Sequence, residues 1–405
     1  MFSSLPSPPG LPWPQIRLLI RGLQPRLLEW RRHLHRFPEL GFQEYQTADF
    51  IAQTLTNLGI DHQTGIAKTG VVALVDSGKP GPVLAIRADM DALPITEANS
   101  IEYRSQNNGK MHACGHDGHV AIALGTAQYL SQNLGTWCGQ VKFIFQPAEE
   151  SPGGAQPLIE AGVLKNPDVE AIVGLHIWNN LPVGTVGICG GPLMAAVECF
   201  QCTLLGKGGH GAMPHQTVDA VVLGSQIVTA LQSIVARNVN PLDAAVITVG
   251  EFHAGTALNV IADSARLRGT VRYFDPKFAG YFGDRLEALI QGICQSQGAA
   301  YEFNYWQLYP PVVNHKAIAL RLHTIALEVL GSPEAIVSDC QTMGGEDMSF
   351  FLAQIPGCYF FLGSANPQLG LDFPHHHPQF NFDEAVLPLG VELFVRFVEQ
   401  YVPEL

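Results

Sequence analysis

Positive charge is scarce in this chain. Its 405 residues carry 23 Lys and Arg against 36 Asp and Glu, a formal net charge of −13. A nucleic-acid partner, whose electrostatic footprint would be a basic patch, is therefore not expected. No uninterrupted apolar run looks long enough to cross a bilayer, so no membrane span is expected either. The leader from Met1 to Pro14 is rich in Pro and Ser and has no basic segment ahead of an apolar one, unlike a signal peptide. The eight cysteines (Cys114, Cys138, Cys189, Cys199, Cys202, Cys294, Cys340, Cys358) form no paired framework. That usage fits a cytoplasmic protein, with most of the thiols serving as small buried hydrophobes. There is no internal repeat, and no low-complexity run beyond the leader.

What the chain has in quantity is apolar surface to bury: 47% hydrophobic residues against 15% charged. With this length, that composition predicts an ordinary globular protein of two domains. Helical runs are expected over Ile16 to Phe37 and Glu44 to Leu58. Strands follow at Val71–Val75 and Val83–Arg87, with Asp76 to Pro82 reading as a hairpin turn between them. A helix from Val120 to Leu134 precedes strands at Val141–Phe145 and at Ala171–Leu175, the latter ending on His176. Strands alternating with helices, with polar residues collected after the strands, predict an α/β sheet whose site lies along one edge. Near Gly190 the texture changes to strand–helix–strand–strand–helix–strand, ending at Tyr305, the order of a ferredoxin-like α+β layer. The expected organisation is a catalytic domain in two parts, 1–192 and 306–405, split by an inserted domain, 193–305.

Chemistry concentrates in Met111-His112-Ala113-Cys114-Gly115-His116-Asp117-Gly118-His119. A thiol and an imidazole two residues apart, at an expected strand-to-helix junction, can face one cavity and suit zinc; imidazole with carboxylate also suits manganese, nickel or cobalt. Further donors stand near strand ends: one of Glu149 and Glu150, His176, and one of the three histidines at 375–377. Taken singly, each has an ordinary explanation: a core histidine, a helix N-terminal acid pair, a solvated loop. Together they exceed what one tetrahedral ion needs and suit two ions sharing a bridging ligand and a water. One acid of the adjacent pair is then left to act as a general base.

These motifs resemble those of the M20 metallopeptidases. The resemblance is carried by Met111–His119, Phe145-Gln-Pro-Ala-Glu-Glu150, Gly174-Leu-His176, Gly206-Lys-Gly-Gly-His-Gly-Ala-Met-Pro214, Gly344-Gly-Glu-Asp347 and His376-x-Pro-x-Phe-x-x-Asp-Glu384. The likeness is narrower to the N-acyl-L-amino-acid amidohydrolase branch, with its hippurate and auxin-conjugate hydrolases, and runs from about Leu34 to the C-terminus. It implies a two-domain, mixed α/β zinc-peptidase-like fold with a lid or dimerisation domain, and two divalent ions (Mn, Zn, Ni or Co). It also implies ligands at Cys114, His116, Glu150, His176 and His376, and Glu149 as the base. His210 would stabilise the tetrahedral intermediate, often across a homodimer interface. Asn259 and Arg272 would hold the free carboxylate of a small N-acyl-amino-acid substrate. Other branches open with an HxD pair; here Asp89-Met90-Asp91 stands there without the histidine, so those two acids are expected to support the site rather than ligate. Three rival readings remain: a dipeptidase or carboxypeptidase of the same fold, a cysteine enzyme with Cys114 as nucleophile, and a non-catalytic binding protein.

Overall fold

The computed structural model describes residues 13–401; the leader through residue 12, with the reading made of it, lies outside them, as does Val402, where the sequence predicts that a C-terminal helix starting at Glu384 ends. The described residues form two compact units, the smaller comprising Pro192–Val312 with Gln341–Ser349 and the larger the remainder.

The larger unit is built on a mixed eight-stranded sheet. Its centre is four parallel strands in the order Gln140–Gln146, Val83–Asp89, Ala171–Pro182, Gly357–Ala365. Strands covered on both faces must be apolar along their whole length, and Gly357–Ala365 is buried at every residue. Gly70–Asp76 and Asp61–Ile66 extend the sheet antiparallel on one side; Val186–Gly187 and Ile336–Val337 extend it on the other. The expected hairpin across Asp76–Pro82 is not formed, because Gln140–Gln146 lies between the two strands. The link instead binds the chain entering that middle strand: Ser77 N–H donates to the Gly139 carbonyl (3.1 Å), and Gln140 N–H to the Pro82 carbonyl (2.9 Å). Gly and Pro mark where a chain turns, not which strand it pairs with next.

Parallel strands share a direction, so their C-terminal ends collect at one edge. Asp89 ends one of those strands, and the Glu149–Glu150 pair and the histidine loop follow two others. His176 differs from expectation, since its strand runs on to Pro182 and the residue sits mid-strand. Arg87 pairs with Gly174, so the strand ending at Asp89 stops level with His176, which stays buried and paired with Phe361 on its other side.

The helix His116–Gln132 is buried on all sides through Leu130. That burial explains its small residues: a Cβ at Gly118 would lie 2.3 Å from Ile177 Cδ1 and 2.7 Å from Phe382 Cζ. The expected run from Ile16 to Phe37 is two helices, Trp13–Gly22 and Gln24–Arg36, parted at Leu23 with Pro25 in the first turn of the second. The second helix buries Leu27, Trp30, Arg31, Leu34 and His35. Arg31 Nε reaches Asp117 Oδ2 at 2.9 Å, His35 Nδ1 reaches the same oxygen at 2.8 Å, and Arg31 Nη1 reaches Glu384 at 3.0 Å. Burial works against the Asp117 carboxylate, but Arg31 and then His35 outweigh it and hold its carboxyl well below the usual range. Removing one partner of a fully buried pair costs roughly 3–5 kcal/mol, so Arg31→Met is expected to lose that much in urea unfolding at neutral pH. A depressed carboxyl stabilises the fold above its unfolded pKa of about 4, and that contribution disappears as pH falls through the lower folded value. The gap between Arg31→Met and the parent should accordingly close only in strong acid.

The smaller unit has a four-stranded antiparallel sheet in the order Ala245–Ala254, Ser264–Tyr273, Ala196–Leu205, Ala300–Tyr309. With helices Ala220–Asn238 and Tyr281–Gln297 it is the expected ferredoxin-like layer. Phe200, Cys202 and Leu204 alternate into a core closed by Leu223, Ile227 and Leu231 of the first helix and Phe282, Leu286 and Ile290 of the second. The first helix corrects one expectation, since by length and composition alone it could cross a membrane. Its apolar stripe is instead spent on this sheet. No disulfide joins any of the eight cysteines, and only Cys114, Cys202, Cys294 and Cys358 are buried, fewer than their apolar surroundings suggested.

Candidate metal centre

The motif does not follow a strand directly. A long connection after Asp89, tied down by reciprocal bonds between Leu93 and Met111, leads into it. Gly115, at φ 93°, then turns the chain into the helix at His116. From the helix start His116 directs Nδ1 to the Asp91 carbonyl at 2.9 Å. A carbonyl only accepts, so the ring hydrogen is on Nδ1 and the Nε2 lone pair is left free. Likewise His176 gives Nδ1 to the Ile177 carbonyl (2.7 Å) and turns Nε2 toward Cys114 Sγ, 3.4 Å away.

Asp91 organises the other side. Its two carboxylate oxygens accept the backbone N–H groups of Glu149 and Glu150, each at 3.0 Å. The turn carrying those acids has Ala148 at φ 53°, and its N–H is held by Glu44 at 2.9 Å. His376 too is left-handed, at φ 65°, with its N–H donating to the Ala113 carbonyl at 2.8 Å. Such backbone costs a non-glycine residue about 1–2 kcal/mol, so the surrounding bonds must enforce it. The outcome is a His376 Nε2 lying 3.0 Å from Glu150 Oε1. Its neighbours are committed elsewhere: His375 Nε2 bonds the Ile177 carbonyl at 2.9 Å, and the His377 ring stacks on Phe373.

Three donor groups thus overlap, each with its ligand atoms within 4.8 Å of one another: Cys114–His116–His176, Cys114–Glu150–His376 and His116–Glu149–Glu150. Every sequence-derived donor belongs to at least one, and Cys114, His116 and Glu150 each belong to two. A cation fits this set on independent grounds. His116 Nε2 is buried without a hydrogen-bond partner, with Asp89 Oδ1 at 3.8 Å and Glu149 Oε2 at 4.0 Å. Burial disfavours charge on this ring, yet Asp89, Asp91 and Glu150 push its pKa up to about 10. Carboxylates gathered around a buried nitrogen that has no hydrogen-bond partner suit a positive ion there. Burial, helped by His119 and His375, keeps His176 neutral and able to donate. Burial and then Glu150 and Glu149 push the Cys114 thiol well up, the reverse of what an activated cysteine nucleophile needs.

Asp89 ligates less readily than it supports: it accepts from Arg87 Nη1 at 2.7 Å and from His119 Nδ1 at 2.5 Å. From sequence His119 carried no assignment, and Asp91 only the expectation of support; its grip on the amides of Glu149 and Glu150 is what the structure adds. The one available signal for His119 was its i+3 spacing from His116, which puts both on one helix face.

His210, Asn259 and Arg272 all belong to the smaller unit. His210 and Asn259 are brought together: Gly209–His210 pairs with Val260–Ile261, and Gly211 N–H donates to the Asn259 carbonyl at 2.9 Å. His210 is exposed, and its Nδ1 accepts from Ala212 N–H at 3.1 Å, so Nε2 carries the hydrogen and is free to donate. Arg272 lies on the four-stranded sheet, half-buried; its one hydrogen bond reaches the Met343 carbonyl at 3.4 Å, and no acid among the described residues pairs with it.

The profile of peptidase family M20/M25/M40 matches residues 85–400. An N-acyl-L-amino acid amidohydrolase of Geobacillus stearothermophilus is 47% identical over 302 residues, covering 74% of this chain and 81% of its own. The thermostable carboxypeptidase 1 of Saccharolobus solfataricus is 38% identical, covering 92% and 94% respectively. Among solved structures, a dinuclear metal-binding M20 peptidase of Bacillus subtilis superposes with a TM-score of 0.81 at 36% identity, over 94% of this chain and 98% of that one.

Proposed function

The chain belongs to peptidase family M20/M25/M40 and is a hydrolase of C–N bonds, and from that premise we propose that it is a binuclear amidohydrolase cleaving N-acyl-L-amino acids to a carboxylate and a free amino acid. The observation that carries this reading is the overlap of donor groups through Cys114, His116 and Glu150. Cys114, His116, Glu150, His176 and His376 would hold two divalent ions (Mn, Zn, Ni or Co). When bound, such ions polarise an amide carbonyl and make a water acidic near neutral pH.

The remaining work is assigned to side chains. Glu149, its backbone fixed by Asp91, takes the proton of the attacking water and hands it to the departing nitrogen. The half-buried Arg272 guanidinium, lacking an acid partner among the described residues, binds the α-carboxylate with Asn259; its planar fork suits that group. His210 offers its free Nε2–H to the developing oxyanion. We assign the assembly as a homodimer formed through the smaller unit. Its edge strand Ala245–Ala254 leaves Val246 and Phe252 exposed, and the helix beginning at Ala220 leaves Val221 and Val222 exposed. Mixing His210→Ala with Glu149→Gln protomers tests whether His210 serves a second copy's site, since activity should then reappear on subunit exchange.

Arg272→Ala is expected to weaken kcat/KM for N-acyl-amino acids by about 2–5 kcal/mol, and by much less for the matching amino-acid amides. Equal losses on both would make Arg272 structural. A panel of acetyl-, benzoyl- and indoleacetyl-amino acids assayed beside dipeptides and C-terminal peptide substrates tests the substrate class. Preference for the peptides would replace this reading with the carboxypeptidase or dipeptidase one, which the relative from Saccharolobus keeps in view.

A further inference from the structure

We propose that His119 is a positioning residue, not a ligand, and that through Ile177 it fixes His176 and the His375–His376 pair against Cys114 and His116. The proposal rests on the two-metal reading above. His119 stands close enough to Asp89 and His116 to be counted a metal donor itself. Its bonds rule that out. Ile177 N–H donates to His119 Nε2 at 2.8 Å, which occupies that lone pair and places the ring hydrogen on Nδ1. Nδ1 then donates to Asp89 Oδ1 at 2.5 Å, and Asp89 is anchored by Arg87 at 2.7 Å. Neither nitrogen is left for an ion.

What the ring holds is the peptide unit next to His176. The Ile177 carbonyl accepts from both His176 Nδ1 (2.7 Å) and His375 Nε2 (2.9 Å). One residue thereby receives the motif helix through its N–H and orients two further histidines through its oxygen. His375 is the immediate neighbour of His376, whose left-handed turn sets the Glu150 contact. A chain of hydrogen bonds from Arg87 through Asp89, His119 and Ile177 therefore sets where His176 and His376 stand relative to Cys114 and His116. Partners of this kind around ligands typically matter by 10–100-fold in metal affinity.

The test is a titration of metal-stripped protein with Co²⁺, following heat and the absorption of thiolate-bound and tetrahedral cobalt. His119→Leu keeps bulk but removes both bonds. His119→Gln keeps a donor for Asp89 and an acceptor for Ile177 N–H. The leucine variant is expected to bind at least one Co²⁺ about 10–100-fold more weakly than the parent, with an altered cobalt spectrum, while the glutamine variant recovers to within a few-fold. If both variants lose the ion equally, the imidazole is itself a ligand and the proposal fails. It fails also if both bind like the parent. Should the leucine variant not fold, the glutamine variant decides alone: near-parental binding of two Co²⁺ supports the proposal, and a missing ion overturns it. Failure of the two-metal reading would be seen separately, in a parent protein that binds fewer than two.

Discussion

Replacing Glu149 by Gln lowers kcat by about two to four orders of magnitude while bound metal stays near the parental level, as expected for a general base whose geometry is kept and whose proton affinity is removed. The expectation comes from the bonds around the acid. Asp91 holds the backbone of Glu149 and Glu150 identically, through its two carboxylate oxygens, so the two side chains divide by where they point. Glu150 falls with Cys114 and His376 as well as with His116, whereas Glu149 shares a group only with His116 and Glu150 among these donors. Against burial, His376 and His116 hold the Glu150 carboxyl below its ordinary range, which suits an acid held ionised beside cations. Glu150→Gln should therefore deplete metal first and activity as a consequence. Metal analysis alongside single-turnover assays separates the two variants, and the reverse pattern would exchange the roles.

Stripping the ions should abolish turnover altogether, and adding back a divalent transition metal should restore it. The same experiment has a chemical readout that does not depend on substrate. Cys114 is buried beside His176, and a coordinated thiolate is shielded from alkylation. Its modification should be slower in the metal-loaded protein than in the stripped one. Cys138 is exposed and serves as an internal reference reacting in both. Full turnover in the chelated protein would falsify the binuclear reading and restore Cys114 as a nucleophile, despite the environment that pushes its thiol up.

The cluster of candidate donors was legible in the sequence because those residues are compressed into short motifs in chain order. The parallel sheet returns the strand ends that carry Glu149, Glu150 and the histidine loop to one edge, whereas Cys114 and His116 arrive on the long connection after Asp89. Strand order was less legible. Nothing local in Asp76–Pro82 announces that Gln140–Gln146 will come between its flanking strands, since that pairing is decided far along the chain. The support for the donors was hidden for a related reason. Asp91 acts by gripping the amides of residues 149 and 150, and His119 by receiving the amide of residue 177. Backbone N–H groups are the same for every residue, so composition and motif carry no trace of such bonds. His375, His376 and His377 look alike as a run; the left-handed turn at His376 distinguishes the middle one, and that turn is imposed by the Ala113 carbonyl.

That turn also bears on how the protein can change. Glycine adopts the φ of 65° found at His376 without the steric penalty an imidazole-bearing residue meets there. A laboratory evolution campaign scored on the melting temperature of the metal-free protein would drift toward glycine at position 376, and one scored on hydrolysis would hold the histidine. The two selections pull on a single codon in opposite directions, so heat-hardened variants of this chain should be sequenced there before their lost activity is blamed on rigidity.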